Sequence, residues 1–365
     1  MASLGMELAE NRVEGGIADA DRVLRDRALV RRWLYAVLAI MLALVLVGGA
    51  TRLTDSGLSI TEWEPIHGVV PPLSAAAWEE KFAKYREIPE YREINRGMSL
   101  DAFKTIYWWE WGHRVLARGV GLAFALPLLA FWLAGRIEPR LKPRLLGLLV
   151  LGGMQGAVGW WMVASGLTER TDVSQYRLAA HLTMASLIVA GIAWVARGLR
   201  DGRTHGGSAL TLSAGPLAGA VLVQIYLGAL VAGMDAGLAY NTWPLMDGAL
   251  VPGGLLAADP WWLNGFENAK AVQFIHRTFA YTVLGFALWH AWRCWGEGGS
   301  ARRWGIGLLA LVLWQAVVGI TTLLLAVPIG WALLHQFTAL MLLAAVVWHW
   351  RGLIGPYPVE ARTVA

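Results

Sequence analysis

The residues best suited to chemistry in this sequence are four histidines, His113, His181, His276 and His335, each set inside a long apolar run. An imidazole in such a setting serves as a metal ligand or proton carrier when partnered and is a costly buried polar group when not. Two of the four open the same dipeptide, His113-Arg114 and His276-Arg277. Three residues earlier the two copies part company, with Glu110 before one and Gln273 before the other. A spacing of three places that side chain on the histidine's own helix face. One histidine is therefore accompanied by an ionisable carboxyl and the other by a neutral amide.

The elements that must position these groups are membrane helices. Of 365 residues, 56% are hydrophobic and only 16% are charged, with 21 Trp; a soluble domain carries about a quarter charged residues. Eight runs reach the roughly 20 apolar residues a spanning helix needs, near 33–50, 106–134, 145–163, 176–196, 214–234, 269–292, 304–327 and 329–349. None alternates as a strand would. The fold class is thus all-α, an integral membrane protein of eight spans. The net charge of +5 reads through topology, since no basic stripe with interleaved aromatics suggests a nucleic-acid partner; the surrounding partner is lipid. Cys294, the single cysteine, excludes an internal disulfide and any CxxC centre.

Basic residues set the orientation. Arg22 to Arg32 precede the first span, Arg136 to Arg144 follow the second, Arg197 to Arg203 the fourth and Arg293 to Arg303 the sixth, while 235–268 holds no Lys or Arg. Both termini are expected in the cytoplasm, with 51–104 outside as a partly helical cap. The acidic N-terminal stretch lacks the features of a transit or signal peptide, which points to a retained tail and a bacterial inner membrane.

The chain also repeats. Asp55, Gly57, Leu58 and Trp63 recur at one constant offset as Asp235, Gly237, Leu238 and Trp243, and the "QGAVG" beginning at Gln155 recurs as "QAVVG" at Gln315. His113 recurs as His276 and His181 as His335. A four-helix unit has been duplicated in parallel orientation, giving a tail at 1–32, an N-terminal bundle at 33–205, a C-terminal bundle at 206–351 and a tail at 352–365. His181, His276 and His335 each precede the first cytoplasmic Arg by about 16 residues, roughly 25 Å along a helix. His113 lies further from Arg136 and does not fit that count.

Two imidazoles facing each other across a bundle can hold a haem iron from both sides; the competing reading is a set of buried histidines hydrogen-bonded to neighbours. No third ligand repeats with them, which disfavours zinc. Arg114 and Arg277 can pair with haem propionates, or can reach out to headgroups. Glu110, as a carboxyl in a low-dielectric pocket, can exchange protons near neutrality, or can pair with Arg114 or Arg118 for packing. The Glu/Gln difference assigns chemistry to the N-terminal half and electron transfer to the C-terminal half. Trp108, Trp109 and Trp111 read as an interfacial belt. His290 and His349 share a further spacing that would suit an additional haem near the cytoplasmic side. Both sit among Trp and Arg, where an interfacial His is ordinary, and the N-terminal half has Pro127 and Val195 at the equivalent positions, which disfavours that haem. His67 and His205 sit in loops with no assigned role.

The stretches "GGATRLTDSGLSITEWEPIHGVVPP", "YWWEWGHRVLARG", "QGAVGWWMVASGL", "YNTWPLMDG", "FIHRTFAYTV" and "LLHQFTAL" resemble the haem A synthase family of alphaproteobacteria and mitochondria. The resemblance implies oxidation of the C8 methyl of haem o to a formyl group, giving haem a for terminal cytochrome oxidases. It also implies two pseudo-symmetric bundles, with His276 and His335 ligating haem b and His113 and His181 flanking haem o. Glu110 matches the acid of the family's Glu-x-x-His-Arg motif. Haem O synthase and an oxidase subunit are candidate partners, and the electron acceptor is unidentified. The external cysteine pair of some members is missing here. The rival expectations are a b-type cytochrome that only moves electrons and a haem carrier.

Overall fold

The computed structural model describes residues 2–200 and 208–359, with side chains from residue 20 onward; His205 and the expected 205/206 boundary lie outside the described residues. The helices are α1 (Ala2–Leu53), α2 (Ala75–Tyr85), α3 (Pro89–Glu93), α4 (Leu100–Leu133), α5 (Lys142–Val163), α6 (Gln175–Gly198), α7 (Thr211–Gly233), α8 (Asn264–Glu267), α9 (Ala269–Glu297), α10 (Gly299–Leu324) and α11 (Ile329–Ile354). Helix dominates because a chain in hydrocarbon must satisfy its backbone polar groups internally.

Among the described residues, seven helices are long and apolar enough to cross a membrane: Ala20–Leu53, Leu100–Leu133, Pro139–Gly166, Gln175–Gly198, Thr211–Gly233, Gly299–Leu324 and Ile329–Ile354. The eighth expected span, α9, is long enough at 29 residues but lies outside that apolar set. Lys270, Arg277, Arg293 and Glu297, with two histidines, dilute its hydropathy. α1 packs on α4 and α6, α4 on α5, and α5 on α6; α7 packs on α9 and α11, α9 on α10, and α10 on α11. α6 and α11 join these two sets through α6–α7, α6–α11 and α1–α11 contacts. One apolar core runs through both, from Leu34, Val37 and Leu145 to Ile192, Leu217, Leu308 and Val346.

The expected external cap is built from α2 and α3. Ser74 and Ser99 cap α2 and α4 through their hydroxyls, each accepting from a backbone N–H three residues on. Phe82 and Phe103 stack with centroids 4.9 Å apart, and Trp78 meets Tyr107 edge-on at 5.0 Å. Together with Tyr85, Ile88, Leu58 and Ile60 they form a second core over the N-terminal end of α4 and the C-terminal end of α5.

The tails are more structured than the sequence suggests. α1 starts well before the apolar run, and the segment after α11 is docked. Buried Arg27 pairs with Glu138 at 2.7 Å and donates to the carbonyls of Tyr357 and Pro358. Tyr357 in turn donates its N–H to Gly198 O at 2.8 Å. The duplication is visible in the backbone too: Asp55 and Asp235, the residues that turn the chain away after α1 and α7, share the same left-handed φ of 48°.

Candidate functional site

Each of the four histidines lies on α4, α6, α9 or α11, about 17–21 residues before that helix ends. This places His113 in line with the others. Arg197, Arg293 and Arg351 sit inside their helices, whereas Arg136 lies beyond the end of α4, so counting to the first arginine overstated its distance.

The same local device holds every imidazole. The preceding long helix presents a glycine to it: Gly48 on α1 to His113, Gly159 on α5 to His181, Gly228 on α7 to His276 and Gly319 on α10 to His335. A methyl group at these glycines would stand 2.8, 2.9, 3.0 and 2.7 Å from the respective rings, closer than carbon and imidazole atoms pack. One turn before three of these glycines stands a glutamine. Gln155, Gln224 and Gln315 donate Nε2–H to the carbonyls of His181, His276 and His335 at 3.0, 3.0 and 2.9 Å. Gln315 is held in turn by the Thr338 hydroxyl. At the corresponding position on α1 the repeat places Leu44, so no such amide braces His113.

The glutamine pattern was only half-read from sequence. Gln155 and Gln315 marked the repeat, but Gln224 shares their spacing to a glycine, Gln-x-x-x-Gly, and went unrecognised because its flanking residues differ.

Electrostatic interaction links His113 with His181 and His276 with His335, which is the pairing expected from the repeat. All four keep intermediate exposure although they lie well inside the helices. The two pairs are neighbours through the α1–α11 contact: Gln336, adjacent to His335, donates to Val45 O on α1 at 3.1 Å, one turn from Gly48.

The Glu110/Gln273 difference is realised as two different locks on the external loops. Glu110 is 2% exposed. Its Oε2 accepts from the Ser59 hydroxyl and the Ile60 N–H, both at 2.7 Å, and its Oε1 accepts from Arg114 Nε at 3.1 Å and Nη2 at 2.6 Å. Four converging donors are the complement of an acceptor-only carboxylate. Arg114 also donates to Ile60 O and Glu62 O, which binds α4 to the loop after α1. In the other half Gln273 donates only to Tyr240 O at 3.2 Å, and its Oε1 is buried without a partner. Arg277 Nη2 donates to Thr242 O at 2.8 Å, while its Nη1 is buried and unpartnered. Arg114 thus has most of its donors engaged within the protein, and Arg277 holds one in reserve. Arg118 is turned to the carbonyls of Glu64 and Pro65 rather than to Glu110.

His290 and His349 do not form a haem site. Their ring centroids are 5.1 Å apart in a T-shaped contact, and both side chains are sealed, at 0% and 4% exposure. A porphyrin cannot pass between rings so placed. Trp108 and Trp109 are exposed, as an interfacial belt requires, while Trp111 is half-buried.

A family model described as cytochrome oxidase assembly protein, COX15-CtaA, matches residues 31–347. The chain belongs to that family. A protein of Rhizobium meliloti (strain 1021) named Heme A synthase is 59% identical over 347 residues, covering 94% of each chain. One of Chelativorans sp. (strain BNC1) with the same name is 61% identical over 349 residues, covering 94% of this chain and 95% of its own. That of Brucella anthropi is 58% identical over 336 residues, covering 91% and 94%. The family match spans all four histidines, their glycines and glutamines, and the Glu110–Arg114 pair.

Proposed function

We propose that the protein is a haem A synthase, a membrane oxidoreductase that converts the C8 methyl group of haem o to the formyl group of haem a. The observation that carries this reading is the two paired imidazole sites on glycine cradles, only one of which has a carboxylate beside it. Identity near 60% to relatives named Heme A synthase supports the same conclusion.

The architecture this implies is eight spans in two four-helix bundles, α1/α4/α5/α6 and α7/α9/α10/α11, with α9 as the span that tolerates charge. The closed sequence of helix contacts within each set and the shared αL aspartates support it. The arginine distribution supports cytoplasmic termini in a bacterial inner membrane. Haem o is the substrate of the N-terminal half, between His113 and His181. Haem O synthase as the source and an oxidase subunit as the recipient remain the candidate partners.

The C-terminal half fits a resident haem b: His276 and His335 are cradled and braced, and the buried, unpartnered Arg277 Nη1 is a donor awaiting an anion such as a propionate. When bound, haem b supplies a one-electron relay toward an acceptor.

Conversion of methyl to formyl with water as oxygen source removes four electrons and four protons, by way of an alcohol and a gem-diol. The residues of this chain serve that balance in distinct ways. His113 and His181 hold the substrate. Gly48 and Gly159 let the imidazoles lie close to the neighbouring helices. Glu110 is the group placed to receive a proton, and because Arg114 occupies its Oε1, each proton accepted there must loosen an Arg114 bond. Ser59 and the Ile60 N–H keep the carboxylate oriented while that happens.

Expression of the protein in cells that make haem o, followed by chromatography of extracted haems, tests the function. Haem a is expected with the wild type. Recovery of haem o alone from cells containing the folded protein refutes the assignment.

A further inference from the structure

At the cytoplasmic end of the α7/α9/α10/α11 set lies a second group of ligating side chains, independent of the four histidines. His290 and Cys294, one turn apart on α9, meet His349 of α11; one donor atom from each lies within 4.8 Å of the others. Their residues are 0%, 0% and 4% exposed. The N-terminal half has Pro127, Phe131 and Val195 at the equivalent positions, so the cluster is not part of the duplicated haem machinery.

The hydrogen bonds around His290 accommodate the tautomer with its lone pair on Nε2. Ser213 Oγ donates to Leu210 O at 3.1 Å and lies 2.8 Å from His290 Nδ1. When Ser213 gives its proton to Leu210 O it accepts from Nδ1–H, and the lone pair of His290 then resides on Nε2, the tautomer that metal binding at Nε2 requires. That atom faces Cys294 Sγ at 3.3 Å. An outer hydroxyl or carbonyl that sets the tautomer of a ligating imidazole is the usual supporting arrangement of a metal site. On the opposite side, His349 Nε2 is buried with no hydrogen-bond partner, and Trp304 stacks on the ring at 5.2 Å to hold its plane. A purely hydrogen-bonded cluster leaves that nitrogen unsatisfied, at a cost of about 1–3 kcal/mol; a bound ion satisfies it.

We propose that His290, Cys294 and His349 form a three-coordinate site for a monovalent, thiophilic d10 ion, Cu(I). Thiolate and imidazole ligands suit copper and zinc alike, and charge separates the two. Cu(I) with one thiolate and two neutral imidazoles is uncharged, whereas Zn(II) leaves a net positive charge in a sealed apolar site. Such a charge is penalised by burial, and Arg293 and Arg197 already act on the two histidines. Binding replaces the thiol proton, which is released to solvent, so atoms and charge balance without any change of oxidation state. Bonds of about 2.0 Å to nitrogen and 2.3 Å to sulfur put ligand atoms roughly 3.5–3.8 Å apart in a trigonal set. The His290–Cys294 separation nearly meets this already, and His349 closes the remainder by a shift of about 1 Å.

The test uses the full-length protein in detergent, loaded anaerobically with Cu(I) against a chromogenic Cu(I) chelator, with metal analysis and copper X-ray absorption. One copper per chain bound by one sulfur and two nitrogens is expected, lost at least tenfold in affinity in Cys294→Ala and in His349→Gln, with haem content unchanged in both. Wild-type copper without a sulfur neighbour, or copper retained by both variants, overturns the site. Preferential retention of Zn(II) over Cu(I) overturns the choice of ion. Should either variant fail to fold, the absorption spectrum of the wild type still decides.

Discussion

Glu110→Gln separates the structural from the chemical duty of the carboxylate. The amide keeps one acceptor oxygen and turns the other into a donor. If the oxygen stays with Ser59 and the Ile60 N–H, an NH2 group faces Arg114 and both charge-assisted bonds are lost, each worth about 1.5–3 kcal/mol. Arg114 keeps its carbonyl partners at Ile60 and Glu62, and its side chain is 18% exposed, so part of the loss is recovered through solvent. A net cost of about 3 kcal/mol follows, or a fall in melting temperature of roughly 4 °C for a chain of this length. The decisive variant is Glu110→Gln/Arg114→Met, which removes the stranded charge. It should regain about 1–2 kcal/mol relative to the single variant, since contacting residues couple, yet produce no haem a. The assays are thermal unfolding in detergent and haem chromatography, run on the same preparations. Full haem a production by the stabilised double variant would show that the carboxylate only fastens the loop, and the catalytic assignment would fall.

Gly319→Ala forces a methyl to 2.7 Å from the His335 ring, so the imidazole must move; haem per chain, read as the pyridine haemochrome, should fall to about half, and a full complement refutes the cradle. Glu90, buried in the cap and close to the charges of Asp55, Glu110 and Asp172, has its carboxyl pushed up to about 8, chiefly by burial. Because the folded state holds the proton more tightly than the unfolded one, its stabilising effect is complete below about pH 4.5 and is lost as pH rises through about 8, on the order of 3 kcal/mol in all. Glu90→Gln should flatten the decline in melting temperature across that window, and an unchanged pH profile counts against the protonated Glu90. Leu44→Gln supplies α1 with the amide its counterparts carry; more haem a should then copurify with the protein, and an unaltered haem a fraction would mean the missing brace has no bearing on release.

The all-helical membrane class and seven of the eight span positions were legible because a membrane helix announces itself by composition. The depth of His113 was not, since the sequence marks arginines but not whether they fall inside a helix, and Arg136 falls outside. Arg114 read as a propionate partner from type and position alone. Its engagement with Ile60, Glu62 and Glu110 depends on how the loop after α1 folds back over α4, which no local pattern encodes. The spacing of His290 and His349 raised an additional haem only as a disfavoured reading, and it could not show their direct contact, because spacing along two helices says nothing about how closely those helices approach. The Cys294 contribution required seeing α7, α9 and α11 converge.

Leu44 gives the duplicated scaffold an uneven grip. A resident cofactor benefits from ligands pinned on both sides, and in the half proposed to hold one Gln224 and Gln315 pin both His276 and His335. A substrate has to depart after every turnover, and under the proposed assignment only His181 is pinned on its side, which makes His113 the ligand free to open. On that proposal, one repeated scaffold serves as a permanent berth and as a revolving door, the two set apart by an isobutyl group at Leu44 where the other helices carry an amide.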